Sequence, residues 1–366
     1  MLTFDDLAVP RAQSATARRL FGEYLRFITR RLLGLRRIGP ELDAAIEFVE
    51  GQLGEKPGLV LSVLRRPNVS ALVRLIEPGA DPAWQRELAA LLWLELALCG
   101  ALPPREVALK CPAVLCALGA QRAYATPGEL VIGPDGVRSS CTAIDAYHPI
   151  AEGLVLATRD NNPLSTQEAH PDKQGSRVNL GDEPVEGWVA AVRAALGIVR
   201  QHFPEIADEM AIGVSQIVPV GTRIDRHESA SYAEAVGTIY ASLHPDPLVL
   251  AEALLHEHSH GKLNALAALT PLLADAAGAF ESPLRPDPRP LGGVLLAAHA
   301  LVPMAELHRR MHADQDPRAL TAGAVRRGHG LAAQARDATR TLLDHAHPSA
   351  PGQALLEELR RWCESC

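Results

Sequence analysis

Residues 248–269, LVLAEALLHEHSHGKLNALAAL, carry His256-Glu257-x-x-His260 inside an uninterrupted helical pattern, and this stretch limits what the chain can become. At roughly 3.6 residues per turn, His256 and His260 stand one above the other on one helix face, so both imidazoles can reach one ion. Glu257 projects about 100° further round, beside such an ion rather than on it. The helix has a start and a stop. Asp246 is a capping carboxylate, Pro247 suits the first helical position and Pro271 follows Thr270, which together predict a helix over residues 247–270. Three histidines between positions 256 and 260 of an otherwise apolar helix make an odd solvent face, which favours a metal site. His258 points away from the other two and reads as non-functional.

The rest of the chain has to support that helix. With 366 residues, 47% of them hydrophobic and 22% charged, it can bury a large core. Residues 14–102 are rich in Leu, Ala, Arg and Glu with helical spacing, punctuated by Pro40, Pro57, Pro67, Pro78 and Pro82, and predict four or five helices. The character changes near Pro103, where short apolar runs alternate with turn signals. Pro134-Asp135-Gly136 between apolar flanks predicts a hairpin. A helix over residues 185–203 follows, with Trp188, Val189, Val192, Ala195, Val199 and Phe203 on one stripe. Residues 212–220 and 236–243 read as strands, the second leading into the motif helix. Helices over 290–312, with Pro303 as a kink point, and over 317–345 complete the pattern. The predicted fold is α+β and predominantly helical: a helical N-terminal region (1–102), then an α+β catalytic region (103–366) in which a small β-sheet precedes the HExxH helix and the C-terminal third is helical.

Charge and cysteine usage narrow the function classes. A net charge of −7 and a pI near 6.1 argue against nucleic acid as a partner, and the arginines from Arg18 to Arg37 read as a solvated face. The N-terminus is acidic without an apolar core, so no signal peptide is expected, and the apolar run near 88–98 is interrupted by Glu95 and too short to cross a membrane. Six sparse cysteines look like reduced thiols, which places the expectation in the cytoplasm; Cys363-x-x-Cys366 reads as a frayed tail rather than a redox pair.

Two histidines are too few for a stable metal site, so a third ligand is expected later in the chain. The metzincin arrangement demands Gly and His where this chain has Leu263 and Leu266, and that reading fails. Glu281 and Glu306 could serve a gluzincin, but their surroundings are unconvincing. His299, alone in the apolar stretch Gly292-Gly-Val-Leu-Leu-Ala-Ala-His-Ala-Leu, is the better candidate; its alternative is a hydrogen-bonded core histidine.

Several blocks together carry a resemblance. S-x-S-Y, G-T-I-Y-A-S-L, D-P-L-V-L-A-E-A-L-L-H-E-H-S-H-G-K-L and S-P-L-R-P-D-P-R-P-L-G-G-V-L-L-A-A-H-A, with D-N-N-P-L-S-T-Q-E-A-H-P-D-K upstream, resemble the HExxH-motif proteins of ribosomal-peptide biosynthetic clusters. The similarity covers residues 145–311 and, more weakly, 4–11. Some members carry a His where this chain has Leu296. The resemblance implies a non-haem Fe(II), 2-oxoglutarate-dependent hydroxylase acting on the β-carbon of an amino-acid residue in a peptide, or of a free amino acid, with a leader peptide as a further partner. His256, His260 and His299 would hold the iron and leave positions for co-substrate and dioxygen. Arg289 and Arg285 would offer a guanidinium fork to the carboxylate of 2-oxoglutarate, with Ser231 beside it. Asn162, His170 and Lys173 would line the substrate cleft, and Glu257 would orient a ligand or water. Two other readings stay open: a zinc metallopeptidase with Glu257 as general base, and a non-catalytic leader-peptide binding protein.

Overall fold

Prolines set the rhythm of the first hundred residues. Of the five helices α1 (Thr16–Gly34), α2 (Pro40–Glu55), α3 (Pro57–Leu64), α4 (Pro67–Leu75) and α5 (Pro82–Leu98), the last four begin on a proline. A proline there sacrifices no hydrogen bond, because the first N–H groups of a helix have no intrahelical acceptor. The computed structural model of the chain describes residues 4–109, 114–164, 178–224, 227–274, 278–282 and 285–365.

Three-stranded antiparallel sheets follow, ordered β1 (Val107–Leu109), β4 (Leu130–Gly133), β5 (Gly136–Ser139) and β2 (Val114–Ala117), β3 (Arg122–Ala125), β6 (Thr142–Asp145). The Pro-Asp-Gly signal is the β4–β5 hairpin, with Gly133 opposite Gly136 and Gly136 at a φ of 116°. One buried cluster joins α1–α5 to these strands through Leu115, Leu130 and Ile132. Gly119 lies over the Arg66–Glu95 ion pair so closely that a Cβ would meet the guanidinium.

The sheet that positions the motif helix has the order β10 (Ser229–Ala230), β11 (Thr238–Leu243), β9 (Gln216–Thr222), β8 (Leu154–Ala157), β7 (Tyr147–Ala151). β8, β9 and β11 are parallel neighbours, while β7 and β10 run antiparallel on the two edges. α6 (Val185–His202) and α7 (Pro204–Gly213) make the long crossover that parallel β8 and β9 require. Side chains alternate across the sheet. Ile217, Ile239, Ala241 and Leu243 join the helical core, whereas Val218, Val220 and Tyr240 fill the other face with Tyr147 and Tyr232.

β11 runs straight into α8 (Pro247–Leu269), where Asp246 caps the helix by accepting from the Leu248 N–H at 2.9 Å. A hairpin of β12 (Phe280–Ser282) and β13 (Arg285–Arg289) leads to α9 (Leu291–Ala313), then α10 (Ala322–His345) and α11 (Ala350–Ser365). Among the described residues α9 alone has the length and apolarity to cross a membrane, and it is packed inside the fold against α8, α10 and α11. The N-terminal segment closes this layer. Phe4 and Leu7 are buried in it, and the Glu358 carboxylate on α11 accepts from the N–H groups of Leu7, Ala8 and Val9 at 2.7, 2.9 and 3.0 Å.

The mixed α+β, helix-rich architecture matches the expectation, with four local corrections. Residues 212–213 end α7, so the strand begins only at Gln216. α10 starts at Ala322, five residues later than the periodicity suggests. Arg285 and Arg289 lie on strand β13, an element that the periodicity of the sequence does not announce. The tail is a helix, because Leu355, Leu356, Leu359 and Trp362 recur at helical spacing and are buried.

Candidate metal centre

His256 and His260 lie one turn apart on α8 with ring centroids 4.3 Å apart and planes at 80°. The His256 side chain retains 20% of its exposure, and His260 Nδ1 is buried without a partner among the described residues. Burial, then the neighbouring His256, holds the His260 imidazole well below its ordinary pKa, which is the neutral, ligating form. An orphaned ring nitrogen beside a second imidazole at this spacing fits a transition metal of borderline softness.

Glu257 faces a different neighbour. Ser229 Oγ donates to its Oε1 at 2.6 Å and Ser231 Oγ to its Oε2 at 2.7 Å, while His256 Nε2 stands 4.0 Å from Oε1. The carboxylate is 3% exposed, so two hydroxyls take the place of water on a charge that would otherwise be costly to bury. Edge strand β10 is thereby fastened to α8. His227, just before β10, is drawn into the same region. Burial pushes its imidazole down to about 4; Glu257 and Glu252 pull the other way, and His244 and His256 add to the lowering. Its Nδ1 is 3.4 Å from Ser242 Oγ, and its Nε2 is buried without a partner among the described residues.

One turn before His256, Glu252 is closed into a network: His308 Nε2 stands 2.7 Å from Oε1, and Arg327 donates two bonds to Oε2 at 2.9 and 2.7 Å. Burial alone would raise this carboxyl, but His308 and Arg327 hold it below the ordinary glutamate range. On the far side of the helix His258 is buried with Lys262, whose ammonium donates to Glu209 on α7 at 2.6 Å; His258 Nε2 lies 3.9 Å from the same carboxylate.

The other expected site residues are dispersed. His299 is 1% exposed on α9, its Nε2 3.1 Å from the Leu7 carbonyl and its Nδ1 buried without a partner among the described residues. Burial, with Lys262 the leading charge, lowers it to about 3. Arg289 ends β13 and pairs with Asp287 at 2.7 Å; its Nε is buried without a described partner. Arg285 opens β13, and its side chain lies outside the described residues, as do His170 and Lys173 altogether. Asn162 is 3% exposed and accepts from the Leu164 N–H at 3.0 Å, a side-chain turn. Its backbone N–H donates to Asp160, which burial raises to about 6 against bonds from Asn162 and Tyr240. Among the described residues no three His, Cys, Asp or Glu side chains stand together at metal-binding spacing. The structure thus brings together His256, His260, Glu257 and Ser231, and adds Ser229 and His227.

No protein-family model matches this sequence, and no curated protein does either.

Proposed function

We propose that the chain is a non-haem Fe(II), 2-oxoglutarate-dependent hydroxylase acting on the β-carbon of an amino-acid residue in a ribosomally made peptide, or of a free amino acid. His256 and His260 hold the metal from one helix face, with a third imidazole completing the set. Bound iron would supply oxygen activation alongside oxidation of 2-oxoglutarate. The residues of the chain do the rest. Arg289, at the junction of β13 and α9, receives a carboxylate of the co-substrate as a guanidinium fork. Glu257 fixes the spacing of β10 and α8, which keeps the histidine face at constant depth beneath the strand.

The observation that carries this reading is the occupation of both Glu257 oxygens by serine hydroxyls. A zinc peptidase needs that glutamate free to take a proton from a metal-bound water. Here each oxygen already accepts one serine hydroxyl and the side chain is 3% exposed, an arrangement suited to positioning. That favours the oxidative over the hydrolytic reading of the same motif.

The test is anaerobic loading with Fe(II), addition of 2-oxoglutarate and oxygen, and measurement of succinate with candidate peptides. Succinate formed in step with a mass gain of one oxygen on the peptide is the expected result. Metal-loaded protein that forms no succinate but cleaves peptide would transfer the assignment to the peptidase. Glu257→Gln sharpens the choice: hydroxylation should persist within about tenfold, whereas loss of a general base typically costs about 10²–10⁴-fold.

A further inference from the structure

We propose that the cavity lined by α9, α10 and α11 binds a small amphipathic carboxylate, an apolar chain or ring that ends in one negative charge. The inference does not rest on the metal reading, because none of the motif residues lines this cavity.

Two helical stripes build the walls. Ala305, His308, Arg309 and His312 recur at helical spacing on α9, and Val325, Gly328, Ala332 and Arg336 do so on α10. Side chains that meet across two packed helices normally fill the space between them. Here the apolar contributions are mostly alanine and glycine, to which Ala319 and Ala324 add two more small residues. A cleft of about 420 Å³ remains. Small-molecule sites occupy roughly 300–1,000 Å³. Trp362 of α11 gives the cleft an aromatic surface that is held in place, since its Nε1 donates to Glu306 at 3.2 Å.

The charge of the lining is one-sided. Among the described residues it holds two arginines and three histidines and no carboxylate, in a chain whose net charge is −7. The two arginines differ. Arg309 is already engaged by Glu306 at 2.8 and 2.6 Å. Arg336, half-buried, has no hydrogen bond or ion pair among the described residues. A guanidinium offers five donors and no acceptor, and a carboxylate meets it with two parallel bonds.

His308 is set before a ligand arrives. Its Nε2 is held by Glu252 at 2.7 Å, which fixes the ring. A Cβ on Gly328 would stand 3.3 Å from His308 Nδ1, so that nitrogen faces the gap that the glycine leaves in α10. A ring ordered in advance costs a ligand less on binding. The occupant must then suit both kinds of wall. A wholly apolar molecule would strip water from Arg336 and return no bond, and a cation would be repelled by it. An apolar body with a terminal carboxylate satisfies the alanines, the indole and the guanidinium together.

Octanoate is the probe, with octanol and octylamine as its neutral and cationic counterparts, titrated calorimetrically into the full-length protein. One octanoate per chain should bind with a Kd below about 1 mM, as a favourable ligand of its size can. Octanol and octylamine should bind at least about tenfold more weakly, the loss of a charge-assisted bond. Arg336→Gln should bring octanoate down to the level of octanol, and this variant should melt like wild type because no partner is lost. Ala332→Phe, which fills the cleft, should weaken octanoate and octanol alike. A Kd for octanoate above about 1 mM, or octanol binding as well as octanoate, overturns the proposal. So does an Arg336→Gln variant within about twofold of wild type. If Ala332→Phe folds, as circular dichroism reports, and still binds like wild type, the ligand sits elsewhere and the proposal fails. If it does not fold, the three probes and Arg336→Gln decide alone.

Discussion

The two sides of α8 carry polar groups into the interior by opposite means. On the far side Lys262 and Glu209, 3% and 6% exposed at their side chains, neutralise each other at 2.6 Å, with His258 close by. On the near side two imidazoles face one another, Glu257 Oε1 stands 4.0 Å from His256 Nε2 and is already bonded by Ser229, and a ring nitrogen of His260 is left without a described partner. The far side carries its own counter-ion, whereas the near side presents two imidazoles to each other. Within one helix, a neutralised buried pair and an unneutralised pair of imidazoles are therefore separated by about half a turn.

Mutations break this comparison most strongly from the far side. Lys262→Met leaves the Glu209 carboxylate buried without its cation, and the expected cost is about 3–5 kcal/mol in urea unfolding. A cost no greater than that of a near-side substitution would erase the distinction. Acid titration gives the next effect. Burial raises Glu209, but Lys262 and His258 bring its pKa below the ordinary 4.5, so its contribution to stability is present above that value and is lost as pH falls through and below it. The wild-type unfolding free energy should decline over that range, and Lys262→Met should flatten the decline. The smallest effect is expected from His256→Ala, within about 1 kcal/mol of wild type without metal, since the ring is partly exposed and the Glu257 carboxylate 4.0 Å away keeps its bonds from Ser229 and Ser231. The same variant should abolish metal-induced stabilisation, which at a hundredfold excess over Kd amounts to about 2.7 kcal/mol in wild type. Equal thermal shifts in the two proteins would place the metal elsewhere.

What the sequence made legible follows from the range of the interactions. The α8 boundaries are local, set by Asp246, Pro247 and Pro271, and the hairpin at Gly133–Gly136 is local too. His256, Glu257 and His260 are readable because one helix turn relates them. The partners of Glu257 are harder: β10 has only two residues in its ladder, too short for a periodic apolar signal. The alternation His227-x-Ser229-x-Ser231 was the available clue, three polar side chains with the spacing of one strand face. The pairs Lys262–Glu209 and His308–Glu252 are separated by 53 and 56 positions, and no local rule joins them. α11 is hard to read because Cys363 and Cys366 suggest a tail, whereas its buried leucines and Trp362 decide the matter.

The clamp of Glu358 on the Leu7, Ala8 and Val9 amides sets an order of events during synthesis. The segment around Leu7 finds its acceptor about 350 residues further along the chain, on the last helix described. The helical layer around α8 and α9, which also buries Phe4 and Leu7, therefore lacks this contact until residue 358 has been made. The motif helix waits, partly uncovered, until residue 358 has been made, so a ribosome stalled short of that point should display a nascent chain whose α8 region remains open to protease.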